Sequence, residues 1–330
     1  MTIDNRHSWY SGRDVLIVGG LGYIGWNLTT ALLDAGSNVA VITPQRARHE
    51  ARATDCEARG GSVIEADVRD RAAMRAAARQ QTVIFNVSGQ SGALRSVQEP
   101  AADLDANCAG SLSLLEAIRL ESAEAKLVFA SSRLVYGAAH TLPVAEDHPL
   151  VPLCPHGAHK MVIEQYLAIY GRLYGVRATS LRITNPYGPG QPGERSAYGV
   201  INYLIHRALS GQSLSMYGDG RQLRDYVYVT DVVEAMLLAG ANGISDGKVY
   251  NVGSGVGTAM VDAARLIVSI AGAGHVEHIP WPPMVEEIDT GDFVADVSRA
   301  AAELGWRPTA TLTEGLQRTI AASMARSADR

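Results

Sequence analysis

The sequence predicts an α/β fold, a doubly wound parallel sheet followed by a smaller C-terminal α/β unit. Three observations predict it. Short β-branched runs alternate with Ala/Leu-rich stretches as far as Ile183, those runs are apolar almost throughout, and beyond them comes a Pro- and Gly-rich loop, residues 185–193 (NPYGPGQPG). Strands alternating with helices imply parallel βαβ units with right-handed crossovers. Strands without polar alternation are those of a sheet covered on both faces.

In order, strands are expected at 15–18, 38–43, 62–66, 82–87, 126–130 and 177–183. Helices are expected between them at 24–35, 71–78, 104–120 and 156–174. After the loop come a helix over 198–209, a Gly-Asp-Gly turn in 217–220 and a strand over 224–229. Asp231 is placed to N-cap a helix to Ala239, and Thr258 one to Ala271, with a strand at 248–252 and a tight loop at 253–257 between them. Residues 281–283 read as a rigid linker, and 298–304 and 312–323 as closing helices.

The 330 residues carry a net charge of −5 and are 47% hydrophobic, enough for a substantial core. The acidic balance argues against nucleic acid as a partner. Cys56, Cys108 and Cys154 are scattered, odd in number and without a CxxC, which fits a reducing compartment rather than a disulfide scaffold. The chain starts without an apolar leader and has no run of 18 apolar residues, so a cytoplasmic protein with no membrane partner is expected.

Residues 15–25 read VLIVGGLGYIG, a strand running into Gly19-x-x-Gly22-x-x-Gly25 and then a helical pattern. Glycines there let the backbone approach a pyrophosphate at a helix N-terminus, so this is a Rossmann-type dinucleotide loop. The second strand ends in Thr43 without a carboxylate, while Arg46 and Arg48 follow. An acidic residue at that point would suit the ribose of NAD, and an arginine suits a 2′-phosphate. The cofactor is therefore NAD or NADP, with a lean to NADP. Asp67, after the third strand, is placed to meet adenine, or else caps the helix that follows. The division this suggests is a cofactor-binding domain over 11–184 and about 225–253, and a substrate-binding domain over 185–224 and 254–330.

With further segments added, the chain resembles the extended short-chain dehydrogenase/reductase family, in the nucleotide-sugar branch of NAD-dependent epimerases and dehydratases. The segments, which span most of the chain, are Gly19–Gly25; Asp67–Asp70; Asn107 with Gly110 and 114–117 (LLEA); Ser131-Ser132 with 135–137 (VYG); 181–190 (LRITNPYGPG); 218–229 (GDGRQLRDYVYV); 250–255 (YNVGSG); and 303–308 (ELGWRP). The resemblance implies cofactor contacts from Gly19, Gly22, Tyr23, Ile24, Gly25, Thr43, Arg46, Asp67, Val68, Ser88, Asn107 and Lys160, and a homodimer built on the helices 107–120 and 156–174.

It also implies a catalytic Ser, Tyr and Lys. The Ser falls on Ser132 and the Lys on Lys160, but the Tyr position holds His156. His156 and Lys160 share a helix face four residues apart, and an imidazole near pKa 6.5 needs no activation to accept a proton. Three readings stay open: His156 replaces the Tyr; Tyr136, Tyr187, Ser132 or His159 carries the proton; or the protein binds cofactor without turnover. A metal on Cys154, His156 and His159 has no distant ligand to complete it, so none is expected.

Members that perform 4,6-dehydration carry Asp-Glu directly after the Ser; here Arg133-Leu134 stands there, so dehydration is not expected. For the substrate, the resemblance points to Ser132, Asn185, Tyr217 and Arg224, with Arg224 as the phosphate contact. A further arginine that many members carry is absent, replaced by the acidic stretch 286–292, for which Arg195 or Arg221 is a candidate substitute. The expected activity is epimerisation of a nucleotide-activated hexose, with an NADPH-dependent 4-keto-sugar reductase and a non-catalytic regulatory relative as alternatives.

Overall fold

The computed structural model describes residues 8–328 except 91, 192 and 194–198. Its largest sheet has seven strands, all parallel: β1 (Asp14–Val18), β2 (Asn38–Thr43), β3 (Ser62–Glu65), β4 (Val83–Asn86), β5 (Lys126–Ser132), β6 (Arg177–Ile183) and β10 (Lys248–Val252), in the order β10-β6-β5-β4-β1-β2-β3. Alternate residues of one strand enter two separate cores. Val15 and Ile17 pack with Leu28, Leu32 and Met236; Leu16 and Val18 pack with Leu114, Ile118 and Ile163. Both faces are covered, so both must be apolar. The strand order reverses between β1 and β4, which opens a crevice at their C-terminal ends.

After β6 the chain builds two small sheets around a third core that includes Leu204, Leu214, Ile267 and Leu316. One sheet holds β7 (Asn185–Tyr187), β9 (Leu223–Tyr228) and β11 (Gly257–Ala259), and the other β8 (Ser213–Tyr217) and β12 (His275–Ile279). The helix Val229–Ala241 returns to the large sheet, and β10 extends it beside β6. No helix of the described residues is long and apolar enough to cross a membrane.

Several expectations need correction. The helix expected over 104–120 is three pieces, Pro100–Leu104, a π turn Asp105–Ala109 and Gly110–Glu121. Asp231 lies inside its helix, not at the cap, and its carboxylate accepts from Thr309 Oγ1 (2.7 Å) and the Ala310 amide (3.1 Å). Thr258 belongs to β11, and the helix Met260–Ala271 starts without a side-chain cap. The helix expected from Tyr198 is described from Val200, Tyr198 itself lying outside the described residues. β5 runs on to Ser132, which sets the serine at the crevice.

Candidate active site

The glycine loop connects β1 to the helix Tyr23–Asp34. That helix has no side-chain cap and no acidic residue in its first turn, so its leading N–H groups face the crevice uncompensated. Gly19 has φ +86°, and a Cβ there would lie 2.9 Å from the Ser88 backbone; at Gly25 it would lie 2.2 Å from the Gly19 carbonyl. Only glycine permits these approaches. The loop, with Tyr23 and Ile24 at the helix start, therefore fits a dinucleotide pyrophosphate. Ser88 donates its hydroxyl to Asn86 Oδ1 (2.7 Å), and Val68 fills the space against Gly110.

Around the adenosine end the structure differs from expectation. Thr43 is buried at the end of β2. Arg46 is clamped by Glu57 at 2.6 and 2.8 Å and approached by Glu50 at 3.5 Å, while its backbone N–H donates to Glu65 (3.1 Å). An arginine ringed by three carboxylates is no open receptor for a 2′-phosphate. Asp67 binds the Arg69 guanidinium (2.8 and 2.7 Å) rather than capping the next helix; Asp70 is the cap, accepting from Ala72 and Ala73. Sequence reasoning missed Arg52. Its guanidinium donates to the carbonyls of Leu21 (2.8 Å), Gly22 (3.0 Å) and Gly190 (2.6 Å), tying the glycine loop to the NPYGPG loop.

Ser132 and the His156–Lys160 turn meet where β5 ends and the helix Pro155–Tyr174 begins. A Cβ on Gly157 would lie 2.3 Å from the Leu134 carbonyl, so the helix start is pressed against the turn after Ser132. The Ser132 hydroxyl accepts from the Leu134 amide (3.2 Å). Lys160 Nζ donates to the Ala130 carbonyl (3.0 Å) over the Phe129 ring (4.7 Å), and burial brings its pKa down to about 8.

His156 is 6% exposed; its amide donates to Ser96 Oγ (3.1 Å) and its Nδ1 lies 3.3 Å from Asp103 Oδ1. His159 Nδ1 lies 3.4 Å from the other oxygen, and Asn107 Nδ2 donates to both (3.1 and 2.8 Å). Burial pushes His156 below the ordinary imidazole range and Lys160 adds to that, against the opposing pull of Asp103. Burial alone would raise the Asp103 carboxyl, but the bonds and charge of His156 and then His159 outweigh it and hold it low.

Of the other proton carriers considered, Ser132 and His159 lie beside His156 as described, whereas the two tyrosines are engaged in the core. The Tyr136 hydroxyl is committed to Asn251 (2.6 Å) and Arg182 (2.9 Å) in the core, and burial drives its pKa up to about 12. Tyr187 is 1% exposed, donates to the Leu312 carbonyl (3.3 Å) and is raised by burial. Among the described residues no group of three His, Cys, Asp or Glu is arranged to hold a metal.

On the substrate side, Asn185 donates to the Asp225 carbonyl (2.9 Å), and Tyr217 stacks near Trp281 (5.2 Å). Arg224 is bonded to Asp289 and to the Gly291 carbonyl (2.6 Å), so the acidic stretch lies on the expected phosphate contact. Arg133, not singled out from the sequence, reaches the same segment: it donates to Thr290 Oγ1 (2.7 Å) and lies over Phe293 (5.2 Å). Burial, then repulsion from Arg224, lowers its pKa to about 10. The Tyr226 hydroxyl, flanked by both arginines, is buried with no hydrogen-bond partner among the described residues. A cavity of about 470 Å³ opens between residues 138–142 and 289–292. Arg221 is on the surface beside Asp219, and Arg195 lies outside the described residues.

Residues 15–253 match the model of the NAD dependent epimerase/dehydratase family. The chain is 33% identical over 308 residues to a putative UDP-glucose 4-epimerase of Methanocaldococcus jannaschii, covering 93% of this chain and 97% of that protein. It is 27% identical over 321 residues to a dTDP-glucose 4,6-dehydratase of an Actinoplanes species, covering 93% and 96%. Among solved structures, UDP-glucose 4-epimerase of Thermotoga maritima with UDP-glucose superposes with a TM-score of 0.86 at 31% identity, covering 95% and 99%. The Thermus thermophilus UDP-glucose 4-epimerase complex with NAD gives 0.84 at 33%, covering 94% and 98%.

Proposed function

The chain belongs to the NAD-dependent epimerase/dehydratase family, and from that premise we propose that it epimerises a nucleotide-activated hexose at C4, with His156 as the proton-transferring residue. The observation that carries this reading is a buried imidazole four residues ahead of Lys160 and beside the end of β5, where burial and Lys160 favour its neutral form. The dinucleotide, when bound, would supply hydride acceptance and return at the sugar carbon. Residues 19–25 would hold its pyrophosphate and Lys160 its ribose. Ser132 donates to the carbinol oxygen and His156 takes the hydroxyl proton, then gives it back. Arg133-Leu134 offers neither an acid for a leaving hydroxyl nor a base for C5, which supports epimerisation over dehydration.

The ion pairing of Arg46 weakens one ground for a lean to NADP, and NAD is the cofactor proposed. For the substrate, Arg133 and Arg224 form a pair of buried guanidiniums aimed at one segment, 289–291, with Asp289 the one carboxylate bonded to either among the described residues. A guanidinium buried without its own carboxylate is costly unless a ligand anion completes it. Arg133 is the proposed substitute for the absent late arginine, meeting the substrate diphosphate.

The test is incubation of the purified protein with a panel of UDP- and dTDP-hexoses, read by NMR of the products. Interconversion of C4 epimers without net dinucleotide consumption, abolished by His156→Phe, is expected. Net oxidation of added NADPH would assign keto-sugar reduction instead. Silence across the panel, with activity created by His156→Tyr, would assign a non-catalytic binder.

A further inference from the structure

We infer that Asp103 is a positioning residue for His156: its buried carboxylate holds the ring with the proton on Nδ1, turns the free Nε2 lone pair to the substrate, and balances the charge the ring gains when it takes the proton. This rests on the reading of His156 as the proton-transferring residue.

Asp103 has no exposed surface, and among the described residues neither an arginine nor a lysine bonds to its carboxylate. Its oxygens lie within reach of three groups: His156 Nδ1 (3.3 Å), His159 Nδ1 (3.4 Å) and the Asn107 amide, which donates at 3.1 and 2.8 Å. A carboxylate taken fully out of water needs compensating charge or several donors. Here the groups that can compensate it are an amide, whose own oxygen is buried with no partner among the described residues, and two imidazoles that can do so only with the proton on Nδ1. The packing is fixed from two elements. The helix Pro100–Leu104 carries Asp103 against the first turn of the helix Pro155–Tyr174, and the π turn that follows carries Asn107 back onto it.

The charged and titratable groups facing the imidazole are few. Lys160 and His159 lie on its own helix and oppose its protonation. From the opposite elements comes Asp103, which favours protonation; the two nearby thiols, Cys108 beside Asp103 and Lys160 and Cys154 just ahead of the helix, are both raised by burial, Cys108 to about 11, and so stay neutral. Asp103 is therefore the one facing group that favours the imidazolium among these. In the proton step the substrate O–H bond breaks and the proton bonds to Nε2; the electron pair left on oxygen would become the carbonyl bond as the carbon gives up hydride to the bound dinucleotide, and the positive ring is balanced by Asp103 on its other side. The return step reverses this. A carboxylate that orients and supports an imidazole in this way is a general device of acid–base sites.

The isosteric Asp103→Asn keeps an acceptor oxygen and removes the charge. Histidine-selective ¹⁵N labelling, with His156 assigned through His156→Gln, reads tautomer and titration without any substrate. The native protein is expected to show His156 with the proton on Nδ1, and Asp103→Asn is expected to lower its titration point by about one unit and mix the tautomers. On a turned-over hexose, Asp103→Asn should lower kcat at least about tenfold with KM little changed. The effect should reverse in the His156→Tyr background, because a carboxylate opposes a phenolate where it supports an imidazolium. A structural role alone predicts losses of the same sign in both backgrounds. If His156 of the native protein carries its proton on Nε2, or if folded Asp103→Asn leaves its titration unchanged, the inference is overturned, whatever variants fail to fold. Absence of turnover with correct spectra would instead count against the proposed activity alone.

Discussion

His156 and Lys160 lie one helical turn apart, and burial lowers both, the imidazole below its usual range and the ammonium to about 8. The base must be free and the lysine charged. Activity should therefore be lost as pH falls through the depressed His156 value, and lost again as pH rises through about 8. A kcat/KM profile with its acid limb below the usual histidine range is the expected outcome; a single limb near 10 would indicate a tyrosine base. Arg133→Met should raise KM for the nucleotide sugar about tenfold or more, and weaken UDP binding in calorimetry, with kcat far less affected. Unchanged UDP affinity would remove Arg133 from the substrate site. At this scale the sequence was readable where a family pattern could be laid on it: the resemblance pointed to Ser132, His156 and Lys160, and the four-residue spacing put the last two on one helix face. Asp103 and Arg133 were not readable, because their partners lie 53 and 157 residues away and only folding reveals them.

The elements that were legible are those whose periodicity is undisturbed. β1, β2 and β6 and the helix Pro155–Tyr174 satisfy one strong pattern each, and tertiary packing agrees with it. β7 and β11 are three residues long and contain Pro or Gly, too short to show alternation. The π turn at 105–109 (DANCA) holds no Gly or Pro to mark a break, and the apolar spacing on either side reads as one continuous helix. Asp231 was misplaced for a related reason: an aspartate near a helix start reads as a cap, whereas its true partners come from a strand of chain 78 and 79 residues on. Those bonds join the helix Val229–Ala241 on the large sheet to the chain leading into the last helix. Asp231→Ala should strand the Ala310 amide and the Thr309 hydroxyl and destabilise the fold by about 1–3 kcal/mol. Urea denaturation measures this directly, and a change under about 0.5 kcal/mol would show that water replaces the carboxylate at no cost.

Across the whole molecule, the largely apolar strands announced two cores and hence the doubly wound sheet, whereas the face expected to meet another chain, on helices 107–120 and 156–174, was implied by the family resemblance and not by any local pattern. In the folded chain the helix Pro155–Tyr174 leaves an apolar stripe exposed there. Ile163 and Leu167 face the core, while Val162, Ile169 and Leu173 are 37%, 40% and 59% exposed. Spacings of seven and four place these three on one stripe, and Leu120, at the end of the neighbouring helix Gly110–Glu121, is 49% exposed as well. An isologous contact places such a stripe against its own copy around a twofold axis, burying both at once. The expected state is a homodimer, with sedimentation equilibrium giving twice the chain mass of 35.1 kDa. Ile169→Glu combined with Leu173→Glu should yield a folded monomer, since both side chains already face water in the single chain. The same helix begins with His156 and Lys160, so the monomer should also lose stability at the active site, read as a lower affinity for dinucleotide. A native protein that sediments as a monomer would leave the stripe without this partner and uncouple assembly from the site.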